Sequence, residues 1–231
     1  MNLHDTVVLV TGANRGLGQQ LAQAFLAAGA KKVYAAARQP DAVRSPGVTP
    51  LQLDVTDPAS IAAAVQAAPD VSILVNNAGI ILGGDALAAD AASKLRQEVE
   101  VNAIGPLLMA QAFAPTLRAQ GGGAIVNVLS VLSFFNLPGA ATYSASKSAA
   151  WNLTNALRGA LRPQNTRVLA AHMGFMDTDM TKGIDAAKSS PAEIAQRIVA
   201  ALQADQEEVL ADTLSQQLKA GLTADRPAYL G

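Results

Sequence analysis

Thr6-Val7-Val8-Leu9-Val10-Thr11-Gly12-Ala13-Asn14-Arg15-Gly16-Leu17-Gly18 carries the chain from an apolar run into a glycine-rich turn, after which a helical pattern begins. Glycines let a backbone approach a pyrophosphate closely, and a helix N-terminus adds N–H donors and the positive end of its dipole. The spacing here is G-x-x-x-G-x-G rather than the G-x-G-x-x-G of the common dinucleotide fingerprint, and an ordinary β-to-α turn can also be glycine-rich. Position favours function, because the turn follows the first strand and opens the first helix. Gly12, Asn14, Arg15, Gly16, Leu17 and Gly18 are therefore candidate nucleotide contacts.

Outward from this turn, short apolar runs alternate with helix-length segments. Thr6 to Val10, Lys32 to Ala36, Pro50 to Asp54, Ser72 to Asn76, Ala124 to Leu129, Arg167 to Ala171 and Glu208 to Ala211 read as strands. The alternation predicts repeated βαβ units and an α/β protein with a parallel sheet. The runs are apolar along their length, as expected of strands covered on both faces. Asp57-Pro58 reads as an N-cap followed by proline at the first helical position. Ser190-Pro191-Ala192-Glu193 adds a capping box to the same device. No repeat, linker or composition shift marks a second domain. Residues 1–231 are expected to form one domain, with a core over about 6–211 and a short, loosely held tail over 223–231.

Half of the 231 residues are hydrophobic and 15% are charged, against a usual quarter charged. That composition excludes a disordered chain. A net charge of −1 offers no basic face for nucleic acid. Met1-Asn2-Leu3-His4-Asp5-Thr6 has no basic segment leading into an apolar one, so no export signal is expected and the cytoplasm is the expected compartment. Zero cysteines exclude disulfides, thiol nucleophiles and Cys-ligated metal. With only His4 and His172, a zinc site or His-based triad is not expected either. Between Val101 and Ser146 the sole charge is Arg118. Pro106, Pro115, Gly121 to Gly123 and Pro138 interrupt that stretch, so it reads as a buried strand among helices rather than a membrane span.

Other residues point to a dinucleotide and to proton transfer. In dinucleotide folds an acid about 20 residues after the glycines holds the ribose of NAD, whereas an arginine accommodates the 2′-phosphate of NADP. Here the second strand ends Tyr34-Ala35-Ala36-Ala37-Arg38 with no acid before Asp41. Arg38, with Arg15 in the glycine loop, predicts NADP(H) over NAD(H). Asp54 and Val55 close the third strand where an adenine would lie, and Asn77-Ala78-Gly79 follows the fourth. Because histidine is so scarce, proton transfer falls to carboxylates, Lys or one of three tyrosines. Tyr143 and Lys147, four apart on a predicted helix, share one face. A free phenol titrates near ~10, so chemistry near neutrality requires a drop of about three units. A neighbouring ammonium and a cationic oxidised nicotinamide both favour the phenolate. Ser130, in the turn after the fifth strand, could hydrogen-bond a substrate oxygen, with Ser133 as a competitor from the same turn.

Thr11 to Gly18, Asn76 to Gly79, Ser130 and Tyr143-Ser144-Ala145-Ser146-Lys147 together resemble the short-chain dehydrogenase/reductase family in order and spacing, with Ser130 preceding Tyr143 by thirteen positions. The similarity runs from about Thr6 to Ala211. It implies a Rossmann-type, doubly wound parallel sheet of about seven strands with helices on both faces and NAD(P) at the strands' C-terminal edge. It also implies that Tyr143 is the general acid for carbonyl reduction and the base for alcohol oxidation. Lys147 would bind the nicotinamide ribose and lower the Tyr143 pKa, Ser130 would position the carbonyl, and Asn102 would support a water relay to Lys147. A packing amide is the plainer reading of Asn102. After the sixth strand, Gly174, Met176 and Thr178 would touch the cofactor, although Met173 replaces the family's usual proline. His172 reads as a strand-end residue rather than a catalyst. The resemblance implies a homo-oligomer, dimer or tetramer, although the C-terminus lacks the glycine-rich ending of tetrameric members.

Leu82, Leu132, Phe134, Phe135, Leu137, Phe175, Met176 and Met180 are candidate pocket residues, with core packing as the alternative for many of them. A lid over Met176 to Ser189 could close on the site, bending at Gly183. The expected reaction interconverts a hydrophobic ketone or aldehyde and its alcohol. The competing readings are a non-catalytic NADP(H)-binding or regulatory protein and a lyase or epimerase on the same fold. Presence of Ser130, Tyr143 and Lys147 together speaks against a pure binding role, which needs no acid.

Overall fold

The computed structural model describes residues 1–230; Gly231, the last residue of the expected tail, lies outside the described residues. Seven strands form one parallel sheet: β1 (Val7–Thr11), β2 (Lys32–Ala37), β3 (Thr49–Gln52), β4 (Ile73–Asn76), β5 (Gly123–Val128), β6 (Thr166–His172) and β7 (Glu208–Leu210). Their order is β3-β2-β1-β4-β5-β6-β7. The chain winds outward one way from β1 and then the other way from β4. The crevice between β1 and β4 is thus the switch point where doubly wound sheets bind ligands.

The helices are α1 (Gly16–Ala27), α2 (Pro58–Ala67), α3 (Ala91–Val99), α4 (Gly105–Ala119), α5 (Ala141–Leu161), α6 (Pro191–Gln203) and α7 (Thr213–Ala220). Alternation along the strands splits the core in two. Val8, Val10, Val33, Val75, Val126 and Leu169 pack with Leu21 and Phe25 of α1 and Ile194 and Ile198 of α6. Their neighbours Leu9, Leu74, Ile125 and Val168 face Ile61 of α2 and Met109, Phe113 and Leu117 of α4. Both faces are apolar, which is why these runs lack an alternating pattern. The exception is the edge strand β3, mostly exposed, where one neighbour is missing.

Local capping follows the expectation at one helix and departs from it at another. Asp57 accepts from the Ala59 N–H at 2.9 Å and caps α2. Ser190 makes no side-chain cap bond to α6, so the expected capping box is absent and proline at the first turn acts without it. The tail comprises two short 3-10 turns, Gly221–Thr223 and Ala228–Leu230. Among the described residues no helix is long and apolar enough to cross a membrane.

Candidate active site

The turn after β1 is fitted to the end of β4 by atoms that leave no room for side chains. A Cβ on Gly18 would come 2.5 Å from Asn77 Nδ2 and run into the Gly12 carbonyl. Gly12 itself has φ +65°, and its Cβ would sit 3.0 Å from Ala78 Cα. Asn77 Nδ2 donates to the Thr11 carbonyl at 2.8 Å. The Thr11 hydroxyl accepts the N–H groups of Asn77 and Ala78, both at 2.9 Å. The loop is therefore held open as a cradle at the start of α1.

A cleft of about 1100 Å³ extends from this cradle across the sheet's C-terminal edge. At one end it is lined by Arg15, Arg38, Asp54 and Val55. Two hydrogen bonds from Thr56, with the Arg38 charge assisting, hold the Asp54 carboxyl below the usual range. Both arginines are exposed and reach the same rim. At the other end the walls are apolar: Ile80, Ile81, Leu132, Phe135, Leu137, Phe175, Met180, Ile184, Leu214 and Leu218.

Between the two ends lie Ser130, Tyr143 and Lys147. Ser130 caps the 3-10 turn Val131–Ser133, accepting from the Leu132 N–H at 3.1 Å, and its hydroxyl bonds to Tyr143. Ser133 is turned the other way, pairing with the Ser130 N–H and accepting at its carbonyl from Ser148. Lys147 donates to the Val128 carbonyl at 3.0 Å, which places its ammonium 5.8 Å from the Tyr143 ring centroid. Burial pushes Tyr143 up to about 12, opposed by the Ser130 bond and assisted by the charge of Glu98. Burial also lowers Lys147 to about 8. The phenol's shift is opposite to the drop expected from an adjacent ammonium, because loss of water outweighs the one opposing contribution, from Ser130. The chain's own groups thus favour a protonated Tyr143.

Residues 6–189 match the short chain dehydrogenase family. The chain belongs to that family. A short chain dehydrogenase from Burkholderia cenocepacia J2315, solved in complex with NADP, is 39% identical, with 99% of this chain and 97% of that chain covered and a TM-score of 0.93. The NADP-dependent 3-hydroxy acid dehydrogenase of Schizosaccharomyces pombe is 29% identical, with 92% of each chain covered. The trans-4-hydroxycyclohexanecarboxylate dehydrogenase of Sinomonas cyclohexanicum is 34% identical over 78% of this chain and 76% of the relative.

This short-chain dehydrogenase brings nearly all the residues singled out from the sequence to one cleft, including Gly174, Met176 and Thr178. Four do not reach it, Ser133 among them. Leu82 is 42% exposed and turned outward, because its N–H is tied to Glu98 Oε1 at 2.7 Å, and Ile80 and Ile81 take its place. Phe134 packs edge-on against Trp151, 5.6 Å between centroids, behind the wall that Phe135 forms. Asn102, in a π-helical turn over Glu100–Ile104, clamps the Ile80 peptide with both amide atoms at 2.9 Å and donates to Ser146 at 2.9 Å. Its side chain thereby orders the loop after β4.

Met173 is 2% exposed and joins the core, and its carbonyl accepts the Val131 N–H at 2.9 Å. The backbone after β6 is constrained without the proline, since the Gly174 N–H also bonds Asp212 at 2.6 Å. His172 ends β6, fully buried, with Nδ1 3.1 Å from the Ser130 carbonyl. Sequence reading missed Leu214 and Leu218, which belong to a helix far along the chain, and Glu98. Only the position of Glu98, one turn before Asn102, hinted at a role.

Proposed function

We propose that this chain is an NADP(H)-dependent oxidoreductase that interconverts a hydrophobic ketone or aldehyde and its alcohol, with Tyr143 as general acid and base. The observation that carries the reading is one cleft in which a two-arginine rim, a Ser130-Tyr143-Lys147 cluster and an apolar end follow one another. A dinucleotide fits the chain's own features: the cradle beside Gly12 and Gly18 that a Cβ would fill, and guanidinium groups where a 2′-phosphate needs cations. The solved relative holding NADP supports the same cofactor. Gly12, Asn14, Gly16, Leu17 and Gly18 would hold the pyrophosphate side, Arg15 and Arg38 the 2′-phosphate, Asp54 and Val55 the adenine. Asn77, Ala78, Gly79, Lys147, Gly174, Met176 and Thr178 would line the nicotinamide half.

The bound cofactor supplies or takes a hydride at carbon. Ser130 donates to the carbonyl oxygen and orients it toward the Tyr143 hydroxyl. Tyr143 gives that oxygen its proton in reduction and removes it in oxidation. Lys147, fixed by the Val128 carbonyl, steadies the phenolate left behind. Leu132, Phe135, Phe175 and Met180 exclude water from the reacting carbon. Apart from Lys147, no cation faces the apolar end among the described residues. A carboxylate substrate would find no partner there, which sets this reading apart from the relatives named for hydroxy acids. Phe175 and Ser189 pair at the base of the 176–189 segment, pinning its ends like those of a lid.

The test is NADPH consumption against a panel of apolar and charged carbonyls, with Tyr143→Phe as control. Loss of a positioned acid removes about 10²–10⁴-fold in rate, so kcat/KM should fall by that factor with NADPH binding retained. Full activity in the variant would sink the mechanism, and NADPH binding without turnover of any carbonyl would support a binding or regulatory protein.

A further inference from the structure

Helix α7 carries Leu214 and Leu218 one turn apart on one face. Neither belongs to the packed core, and both line the apolar end of the cleft. Leu214 is exposed there, as are Met180 and Ile184 of the 176–189 segment. Large apolar side chains left open around one cleft mark a surface that an apolar ligand covers.

The place of these leucines is set by Asp212, the buried residue that starts α7. Its Oδ1 accepts the Ser215 N–H at 2.7 Å, and the Ser215 hydroxyl accepts the Asp212 N–H in return at 3.3 Å. Its Oδ2 accepts the Gly174 N–H at 2.6 Å. Gly174 begins the loop after β6 that brings Phe175 and Met176 to the cleft. One carboxylate oxygen therefore holds the helix and the other holds the loop, so a single side chain ties two walls of the apolar end together. Asparagine has only one acceptor oxygen, and its NH2 group would meet an N–H, so the two bonds together require a carboxylate. The fit is close: a Cβ on Gly174 would come 2.8 Å from Leu214 Cδ2.

We propose that Leu214 and Leu218 are specificity-determining residues that limit the length of the apolar chain a carbonyl substrate can carry, and that Asp212 is the positioning residue that fixes them against the Gly174–Met176 loop. The inference rests on the oxidoreductase reading of the same cleft and adds to it which part of the substrate α7 meets.

The test is equilibrium binding of a series of methyl ketones of increasing chain length, measured by calorimetry in the presence of NADP+. NADP+ has no hydride to give, so no turnover intervenes. In the wild type each added methylene should tighten binding about fourfold until the chain meets the leucines, and no further beyond that length. In Leu214→Ala and Leu218→Ala the tightening should continue for about two more methylenes, so that the longest ketones bind about tenfold tighter than to the wild type. A break at the same chain length in all three proteins overturns the proposal, as does a wild type that binds no ketone. Asp212→Ser keeps an N-cap oxygen for Ser215 but cannot reach Gly174. It should blur the break and weaken the best wild-type ketone about tenfold. A lower melting temperature with an unchanged break overturns the role given to Asp212. Should that variant fail to fold, Asp212→Asn, which retains one of the two acceptors, is read in the same way. Failure of the oxidoreductase reading appears separately, as ketones that bind with NADP+ but are not reduced by NADPH.

Discussion

Tyr143 and Lys147 stand one helical turn apart, and burial acts on their protons in opposite senses. It raises the phenol to about 12 and lowers the ammonium from 10.5 to about 8. For Lys147 the folded value lies below the unfolded one, so the unfolded chain binds more protons between pH 8 and 10.5 and stability rises with pH there. The penalty is full below about pH 8 and fades toward 10.5. Lys147→Met should therefore stabilise the fold by about 1–3 kcal/mol at pH 7, less the lost Val128 bond, and abolish turnover. Denaturant titrations at pH 7 and 10.5 check this, and an equal gain at both would refute it. At the cofactor rim, Arg38→Asp should raise the NADPH KM about 10–100-fold, as loss of a charge-assisted bond predicts, with a far smaller effect on NADH. Equal effects on both would remove Arg38 from the 2′-phosphate site. Arg38 was readable in the sequence because its place after β2 is a local matter. The raised Tyr143 was not, because desolvation depends on everything packed around the phenol.

The 176–189 segment and the glycine loop meet through side chains from opposite ends of the chain. Arg15 Nη1 lies 3.2 Å from Asp179 Oδ2, and Thr178 sits against Gly16. Both members of the pair are exposed, so it adds little to stability. It matters because the same guanidinium is assigned to the 2′-phosphate. Asp179→Asn should tighten NADPH about 2–5-fold, the equivalent of a surface ion pair, and leave NADH unchanged. Fluorescence titration with each cofactor measures it, and a tightening shared by NADH would point to lid motion instead. Element boundaries were largely legible, since apolar runs and glycine turns are local signals: β1, β2 and β5 each lie within a residue of expectation. The missing cap at Ser190 and the exposed β3 were not, because a side-chain rotamer and an edge position are set by neighbours.

On the scale of the whole molecule, the cleft straddles the switch point between β1 and β4 and draws on β1 through α7. A ligand spanning it ties both halves of the sheet together. NADPH at 100-fold over its Kd should stabilise the protein by about 2.7 kcal/mol. For a chain of this size that raises Tm by roughly 5–11 °C. Calorimetry checks this, and Arg38→Asp should lose most of the shift at the same concentration. The low-charge stretch from Val101 to Ser146 holds α4 and β5, which pack in the core, and Ser130, Leu132, Phe135, Leu137 and Tyr143, which line that cleft. By itself the sequence determined the parallel α/β architecture, the glycine-rich loop after β1 and the tyrosine–lysine pair, because each depends on residues near one another along the chain. Only the tertiary structure decided which way Leu82 and Phe134 point, that Leu214 and Leu218 complete the apolar end, and that Glu98 holds the Leu82–Gly83 backbone. Those outcomes depend on burial and on contacts between distant segments, which local spacing does not encode.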